Sequence, residues 1–408
     1  MQRRSGMRRI LCSVGMVMMA AVMAPALPPA VELVPVAVET GMLFGGPAAI
    51  RHFGYINLTG RMVIPPRFTG ASWFGSGLAR ASVADPSVPN GTLSGLIDHT
   101  GRWVLSPRFA AIRFAMDEPE RFWARNSETW FLIDRSGTVL FETECTEISA
   151  FSEGLAVVKC KDRTVVIDDR GIERFSPSDL GVTVTVPNYF RNGRLNFFPP
   201  EWRAGYNHMG FFDPDGNVAI APTYTVARAD VRFSEGYFAA LLRPEDAGGR
   251  DPGRFMTPDW EPAFGDRRWV DVRPFSEGLA AVAVRGSDRR LLWGFIDRYG
   301  DMVIEPQFPD VERFSDGLAA VAVEIDPSPH AFRRGRWGAI DATGELVMDP
   351  NFARPFVIHS GAAMIMEPYD TGRVLSDGQR VESQRPIYIN RYGDIIWDTL
   401  IHGRLSRN

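Results

Sequence analysis

Two hydrophobic patterns alternate along this chain. Residues 293–306, WGFIDRYGDMVIEP, place two short apolar runs around a polar segment, and residues 337–350, WGAIDATGELVMDP, repeat that arrangement. The second pattern, FSEGLAAVAV at residues 275–284 and FSDGLAAVAV at residues 314–323, starts with an aromatic residue and continues as a run of small apolar residues. We call these patterns the hairpin phrase and the Phe-Ser phrase. Their regular alternation is typical of a repeat protein, in which one structural unit is copied and stacked.

The hairpin phrase can be traced by the glycine that closes its polar segment. Successive glycines lie 34 to 49 residues apart, except for one interval of 84 residues that is long enough to contain a further copy. Residues 254–264 fit that hidden copy, with a shortened turn. The eight recognisable copies have the glycine at Gly60, Gly101, Gly137, Gly171, Gly216, Gly300, Gly344 and Gly393. The Phe-Ser phrase fills the intervals, with clear copies at Phe151, Phe233, Phe275 and Phe314, a close copy at Phe74, and weaker copies at Phe114, Phe190 and Phe356.

Each hairpin phrase predicts two short β-strands joined by a tight turn. The apolar runs are rich in Phe, Ile and Val and are only four to five residues long, which is too short for helices. Asp297 can accept hydrogen bonds from the backbone that follows it, and Gly300 supplies the positive φ of a type I turn with a G1 bulge. Because proline has no N–H, we expect strand pairing to stop at the proline of the second run (Pro65, Pro107, Pro222, Pro306 and Pro350).

The Phe-Ser phrase predicts a third strand in each unit, and residues 311–313 predict a short fourth one. Its alanines suit crowded positions where neighbouring units meet. Because a sheet of three or four short strands cannot bury its faces alone, the units must stack on one another. Units of about 42 residues match propeller blades, and the predicted fold is an all-β, β-propeller-like ring of about eight three- to four-stranded units over residues 44–400, with a tail at 401–408. An open β-solenoid of stacked hairpin units is the alternative.

Residues 1–26 predict a signal peptide. Four arginines precede an apolar stretch at residues 10–24, and the small residues at 24–26 offer a cleavage site. An uncleaved membrane anchor is the alternative, although about 15 apolar residues is short for a span. Cleavage removes four arginines and no acidic residue, which changes the formal net charge from −4 to about −8. We expect an exported protein, periplasmic or extracellular, with an N-terminal linker at 27–43, no membrane span after cleavage and no affinity for nucleic acid.

Cys145 and Cys160 are the cysteines that remain after such a cleavage. Export leads to a compartment that permits disulfides, and a bridge closing a loop of this length stabilises a protein by about 3 kcal/mol. Two buried free thiols on non-adjacent strands are the alternative. The sequence leaves both open, because it does not fix the strand register.

The two phrases together resemble the WG repeat, also called the KWG repeat, which is named for the Trp-Gly pair that opens the hairpin phrase. The resemblance extends over residues 53–399 and is most specific in the C-terminal half, whereas Phe53 and Ser94 stand in place of the tryptophan in earlier copies. The resemblance implies a bacterial all-β repeat protein, often exported, with no established common activity. Its structural signature residues in this chain are Trp293, Gly294, Asp297, Gly300, Trp337, Gly338, Asp341 and Gly344.

The sequence shows no motif for catalysis or metal binding. No two of the six histidines have the spacing that directs a pair at one metal, and there is no nucleophile elbow or phosphate-binding loop. Residues 213–217, DPDGN, look like a calcium loop, but Asp213 and Gly216 occupy ordinary turn positions. We interpret the recurring aspartates as turn residues and Trp293 and Trp337 as packing between units rather than as platforms for a sugar. The aspartates are Asp98, Asp134, Asp168, Asp213, Asp297 and Asp341.

These observations predict an exported, non-enzymatic binding or scaffold protein without a cofactor, which presents a β-repeat surface to an unidentified protein or cell-envelope partner. The first alternative is a carbohydrate-binding module for cell-wall glycan. That alternative requires tryptophans exposed along one face, and the candidates are Trp73, Trp123, Trp130, Trp202, Trp260 and Trp269. The second, less favoured alternative is a hydrolase whose site is assembled from single residues of different units in a central funnel.

Overall fold

The computed structural model describes residues 32–42, 49–88, 91–114, 120–126, 128–200, 208–222, 233–242, 251–325, 335–374 and 380–402. In these residues 32 β-strands form nine antiparallel sheets, and in every sheet consecutive strands are neighbours. Five sheets have four strands and four have three. The sheets are the blades of a β-propeller, which we number 1 to 9 in chain order. The predicted signal peptide and the tail from 403 onward lie outside the described residues.

The first four blades contain β1 to β15. Blade 1 has β1 (Leu33–Met42), β2 (Ala49–Asn57) and β3 (Met62–Phe68), and blade 2 has β4 (Gly70–Ala71), β5 (Ala79–Ala84), β6 (Thr92–Ile97) and β7 (Trp103–Phe109). Blade 3 has β8 (Ala111–Phe114), β9 (Arg121–Asn126), β10 (Thr129–Asp134) and β11 (Val139–Thr143), and blade 4 has β12 (Glu147–Ile148), β13 (Leu155–Cys160), β14 (Arg163–Asp168) and β15 (Glu173–Phe175).

The remaining five blades contain β16 to β32. Blade 5 has β16 (Leu195–Phe197), β17 (Gly210–Phe212) and β18 (Val218–Ile220), and blade 6 has β19 (Phe233–Ser234), β20 (Tyr237–Leu241) and β21 (Gly253–Met256). Blade 7 has β22 (Asp271–Val272), β23 (Ala280–Arg285), β24 (Leu291–Ile296) and β25 (Met302–Phe308). Blade 8 has β26 (Asp310–Val311), β27 (Ala319–Ile325), β28 (Gly335–Ile340) and β29 (Leu346–Phe352), and blade 9 has β30 (Ala362–Val374), β31 (Arg380–Asn390) and β32 (Ile395–Asp398).

Blades 1 and 9 close the ring. Val34 and Val36 of β1 pack in one buried cluster with Tyr388 and Trp397 of blade 9. This contact between the first and last units confirms the propeller and excludes the open solenoid, whose ends would not meet.

The ring has nine blades rather than about eight, because β1 completes a separate first blade with β2 and β3. The sequence predicts a linker at residues 27–43, but β1 occupies 33–42 of that segment and pairs with β2. Alternate residues of β1 are buried valines, and no Phe-Ser phrase precedes the strand.

The hairpin turns have the predicted geometry. The N–H of Gly300 donates to the carbonyl of Asp297 (3.0 Å), and the N–H of Asp297 donates to the carbonyl of Asp301 (2.9 Å). Gly300 has a φ of 80°. The Asp297 carboxylate accepts the N–H groups of Tyr299 (2.8 Å) and Asp301 (3.0 Å), so it holds both sides of the turn.

All six recurring aspartates act in this way. Each accepts N–H groups from the second and fourth residues after it (Asp98, Asp134, Asp168, Asp213, Asp297 and Asp341). At Asp341 the hydroxyl of Thr343 also donates (2.6 Å), and this hydrogen bond, together with the backbone ones, holds the pKa of the carboxyl below its ordinary value. The turn interpretation of Asp213 is therefore confirmed.

The hidden ninth copy is present at the end of blade 6. Thr257 occupies the aspartate position, and Trp260 has a φ of 64° at the glycine position. The N–H of Trp260 donates to the carbonyl of Thr257 (2.9 Å). The turn has its full length, contrary to the shortened turn expected from the sequence, and it was hidden because tryptophan replaces glycine.

The turn glycines also contact the preceding blade. A Cβ built on Gly300 of blade 7 would lie 2.7 Å from the ring of Phe264, and one on Gly344 of blade 8 would lie 3.2 Å from Ile304. The glycine therefore meets two requirements, a positive φ and a close approach between blades.

Replacing Gly300 with valine is expected to destabilise the protein by about 2 kcal/mol, because the left-handed backbone and the contact with Phe264 both disfavour a side chain. The matched control is Tyr299→Val, since Tyr299 is 82% exposed in the same turn. Thermal unfolding of both variants tests this prediction. A Gly300→Val variant as stable as the control would contradict it.

The Trp-Gly pair explains a feature that sequence reasoning misjudged. Strand pairing was expected to stop at the proline of the second run, but β25 continues to Phe308, which pairs with Trp293. The register shifts between these pairs, so Pro306 lies in a bulge where no N–H is required. A Cβ on Gly294 would lie 2.3 Å from the carbonyl oxygen of Ile304, so only glycine permits this approach. A Cβ on Gly338 would lie at the same distance from the carbonyl oxygen of Met348.

Trp293 and Trp337 pack between blades, as predicted. Trp337 of blade 8 is fully buried in a cluster with Ala363 and Ile365 of blade 9, and Trp293 of blade 7 is buried with Val321 of blade 8. The alanines of the Phe-Ser phrase lie in the same clusters. Their small side chains leave room for the indole rings.

A disulfide joins Cys145 and Cys160. Cys145 lies just before β12 and Cys160 ends β13, and these two strands are paired neighbours within blade 4. The two cysteines are therefore bridged, and they do not lie as free thiols on non-adjacent strands.

Removing this disulfide by a Cys145→Ser/Cys160→Ser double substitution is expected to cost about 3 kcal/mol of stability, because the unfolded chain gains freedom in the opened loop. Reductant should lower the melting temperature of the wild-type protein to that of the double variant and leave the double variant unchanged. If neither the double substitution nor reductant lowers the melting temperature, the prediction is contradicted.

Candidate functional site

The Phe-Ser phrase forms a second kind of turn. In blade 7, Ser276 and Leu279 pair on either side of Glu277 and Gly278, which have φ values of 55° and 83°. Positive φ at both central residues defines a type I′ turn, for which glycine is favoured at the second position. The opening Phe275 is buried beneath it.

These turns hold one another across blades. The hydroxyl of Ser276 donates to the carbonyl of Phe314 in blade 8 (2.7 Å), and the Glu277 carboxylate accepts the N–H groups of Asp316 and Gly317 (2.8 Å each). Each component of the phrase thus has a role: phenylalanine fills the core, serine and glutamate bond the next blade, and glycine closes the turn. We call this set of hydrogen bonds the inter-blade latch.

The latch recurs at five consecutive junctions from blade 4 to blade 9. At each one an acidic or amide side chain accepts the glycine N–H of the next turn. The pairs are Glu153 with Gly193, Asn192 with Gly236, Glu235 with Gly278, Glu277 with Gly317, and Asp316 with Gly361. The turns therefore follow one another around the ring.

A cavity of about 980 Å³ lies against this set of turns. Its walls come from blades 4 to 8, including Glu153 of blade 4, Arg191 of blade 5, Glu235 of blade 6, Arg273 of blade 7 and Arg313 of blade 8. A cavity shared by equivalent parts of five successive blades lies toward the centre of the ring. We call it the central cavity.

Several charged groups of the central cavity already have partners. Glu153 and Glu235 accept backbone N–H groups in the latch, and Glu235 also pairs with Arg298 (2.8 Å). Arg273 pairs with Asp310 (2.7 Å) and lies over the ring of Trp293 at 4.2 Å. These groups are therefore held by contacts within the ring.

Arg191 and Arg313 are different. The Arg191 guanidinium lies 5.1 Å from the centre of the Tyr189 ring, and Arg313 is exposed. In the part of the chain that the structure describes, neither arginine has an ion pair with a carboxylate. They enter the cavity from blades 5 and 8, so two cations face an aqueous space of ligand size.

The sequence did not identify these arginines. Arg191 stands where the clear copies of the phrase have serine, and this departure from the repeat was the available signal. Arg313 directly precedes Phe314, a position that is also arginine in two other copies (Arg113 and Arg232), so the repeat gives no signal for it. By contrast, the signature residues Trp293, Gly294 and Gly300 serve packing and turns, and the same holds for Trp337, Gly338, Asp341 and Gly344.

The tryptophans named for glycan binding do not form an exposed face. Trp123, Trp130 and Trp269 are buried, and Trp73 and Trp260 are partly buried against neighbouring clusters. Trp202 lies outside the described residues.

Among the described residues, no group of three His, Cys, Asp or Glu side chains is placed to hold a metal ion. The described residues also contain no helix long and apolar enough to cross a membrane.

The nine meander blades define a repeat β-propeller, and five of them line the central cavity. Five segments match the family model of the WG containing repeat, at residues 53–85, 95–118, 130–163, 209–242 and 293–324. The chain is therefore a WG-repeat protein, as its two phrases indicated.

One solved structure shares the fold at low sequence identity, and two others are less similar. A crystal structure described as the eukaryotic initiation factor has a TM-score of 0.54 and 10% identity, and the match covers 90% of this chain and 96% of that one. BamB from Moraxella catarrhalis has a TM-score of 0.36 and 13% identity over 74% of this chain and 92% of its own. Hsv2 of Kluyvelomyces marxianus has a TM-score of 0.34 and 12% identity, and the match covers 65% of this chain and 88% of that one. The first similarity shows a common fold alone, and the other two add nothing to it. No curated protein sequence matches the chain significantly.

Proposed function

We propose that this protein is an exported, non-enzymatic binding protein that holds a segment of a protein or cell-envelope partner in the central cavity. The observation that carries the proposal is the pair Arg191 and Arg313, which enter a cavity of about 980 Å³ without carboxylate partners in the described residues. Guanidinium groups bind carboxylates through paired, charge-assisted hydrogen bonds. The partner segment therefore carries acidic groups.

The cavity glutamates support a binding role over a catalytic one. Glu153 and Glu235 are hydrogen-bonded to the backbone of the next blade, so they stabilise the ring. The glycan alternative loses its main support, since the buried tryptophans cannot stack on a sugar.

Charge reversal tests the proposed site. The variant Arg191→Glu/Arg313→Glu is immobilised, and partners are captured from the native cell envelope in parallel with the wild-type protein. Capture of the wild-type partner set should fall at least tenfold, because two favourable charge contacts become repulsive. The matched control is Arg61→Glu/Arg102→Glu, which makes the same charge change at exposed positions of the turns in blades 1 and 2.

Control and wild type should capture the same partners, and all proteins should melt at similar temperatures. Undiminished capture by the cavity variant would refute the proposed site. Equal loss in both variants would show that net charge, not the cavity, governs binding.

Export is a separate part of the proposal, and it rests on the predicted signal peptide. N-terminal sequencing of the protein recovered from its native host should begin at Leu27. An intact N-terminus in the cytoplasmic fraction would contradict export.

A further inference from the structure

A second cavity lies between blades 8 and 9, where it is lined by their outer strands and by the blade 9 hairpin turn. It has a volume of about 490 Å³. Asn351 and Phe352 of β29 form one wall, Gly393 and Asp394 of the blade 9 turn form another, and Asp349 contributes a further carboxylate. We call this cavity the blade 8–9 pocket.

Equivalent grooves at two other junctions contain an arginine of the protein itself. Between blades 1 and 2, the guanidinium of Arg67 donates to the carbonyl of the turn glycine Gly101 and lies 5.0 Å from the centre of the Phe68 ring. Between blades 2 and 3, Arg108 donates to the carbonyl of Gly137 (2.7 Å) and lies 5.1 Å from the phenylalanine that follows it. A carbonyl oxygen and an aromatic ring thus make the repeat groove an arginine site.

A third junction adds a carboxylate to this arrangement. Between blades 6 and 7, Arg267 donates to the carbonyl of the turn glycine Gly300 and pairs with Asp301 at 3.1 Å. The residue directly after the turn glycine therefore reaches a guanidinium in the groove. Asp394 holds this position after Gly393 in blade 9.

In the blade 8–9 pocket the internal arginine is missing. Aligned on the proline and phenylalanine of the phrase, Asn351 stands where Arg67 and Arg108 stand in their blades, and its side chain is too short to fill the groove. In the described part of the chain, no arginine donates to the carbonyl of Gly393. Arg385 also lines the pocket, but it pairs with the buried Asp398 at 3.1 Å.

We propose that the blade 8–9 pocket binds an arginine side chain of a partner protein, which takes the place that Arg67, Arg108 and Arg267 occupy in their grooves. The guanidinium donates to the carbonyl of Gly393, pairs with Asp394 and Asp349, and lies over Phe352. The inference goes beyond the proposed function, because it concerns a different surface and a partner group of opposite charge. The exposed carboxylates at the rim complement that charge.

An arginine peptide tests this proposal on the mature protein. The probe is the immobilised peptide Gly-Ser-Gly-Arg-Gly-Ser-Gly, and its isosteric control replaces arginine with uncharged citrulline. Surface plasmon resonance should show at least tenfold weaker binding to the citrulline peptide, because charge pairing is lost. Equal binding of the two peptides would overturn the proposal.

Refilling the groove provides the decisive variant. Asn351→Arg should restore the internal contact, raise the melting temperature and weaken peptide binding at least tenfold, whereas Thr343→Arg, which adds the same charge in an exposed hairpin turn without filling the pocket, should leave peptide binding unchanged. Undiminished binding by Asn351→Arg would overturn the proposal. Asp349→Asn, which removes one exposed carboxylate without filling the groove, should weaken binding at least threefold; wild-type affinity in this variant would also count against the site.

Discussion

Replacing Trp337 with alanine is expected to lower the free energy of unfolding by about 3–5 kcal/mol. The indole is fully buried between blades 8 and 9, in contact with a cluster that includes Ala363, Ile365 and Ile389. The substitution removes a large apolar surface from that cluster and leaves a cavity, which the rigid blades fill poorly.

Urea-induced unfolding of the variant measures this effect. The matched control is Tyr299→Ala, which removes an aromatic side chain that is 82% exposed and should change stability by less than about 0.5 kcal/mol. Wild-type stability in Trp337→Ala would mean that the signature tryptophan does not hold the blades together, and it would reopen the role of a sugar platform.

Replacing Gly294 with alanine is the second change with a large expected effect, a loss of about 3 kcal/mol. The new Cβ would lie 2.3 Å from the carbonyl oxygen of Ile304 and 2.8 Å from the nitrogen of Pro306. Both are backbone atoms, so no side-chain rearrangement relieves the overlap. The bulge of β25 must move, together with the pairing of Trp293 and Phe308.

Gly70→Ala is the control for this variant. A Cβ on Gly70 meets its nearest atoms at 3.5 Å, which is ordinary contact, so this variant should be as stable as the wild-type protein. Thermal unfolding of the two variants distinguishes a specific backbone requirement from a general cost of losing glycine. Equal stability of the two variants would contradict the specific backbone requirement at Gly294.

The hairpin turns could be predicted because their cause is local. Asp297 and Gly300 lie three residues apart, and the hydrogen bonds that fix the turn stay within five residues. The Trp-Gly pair was harder, because the need for Gly294 arises on the neighbouring strand. The effect of Pro306 could not be predicted for the same reason. The proline lies in a bulge of β25, and this bulge requires Gly294 on the neighbouring strand.

The Phe-Ser phrase shows what a repeat conceals. Its serine and glutamate bond the following blade, about 40 residues away in sequence, so their purpose appears only once blades are stacked. β1 was missed because a blade can recruit a strand that lacks the phrase. Both cases have the same physical cause: the sequence pattern of one copy does not show the contacts that this copy makes with its neighbours.

The candidate site could not be predicted as a site. Arg191 and Arg313 lie in different blades and belong to no motif, and only the closure of the ring brings them to one cavity. The residues that recur most strictly, such as Asp341 and Gly344, are those that build the ring. In this protein, repetition therefore indicates architecture.

Site-specific photo-crosslinking tests the proposed binding in the central cavity most directly. A photoreactive amino acid is placed at Arg313 in the central cavity or, in a matched protein, at Thr343 in an exposed hairpin turn. Both proteins are irradiated with the native cell envelope, and crosslinked partners are identified by mass spectrometry. Binding in the cavity predicts a defined adduct from position 313 and none from position 343. An adduct that forms only from position 343 would place binding on the repeat surface and contradict the account.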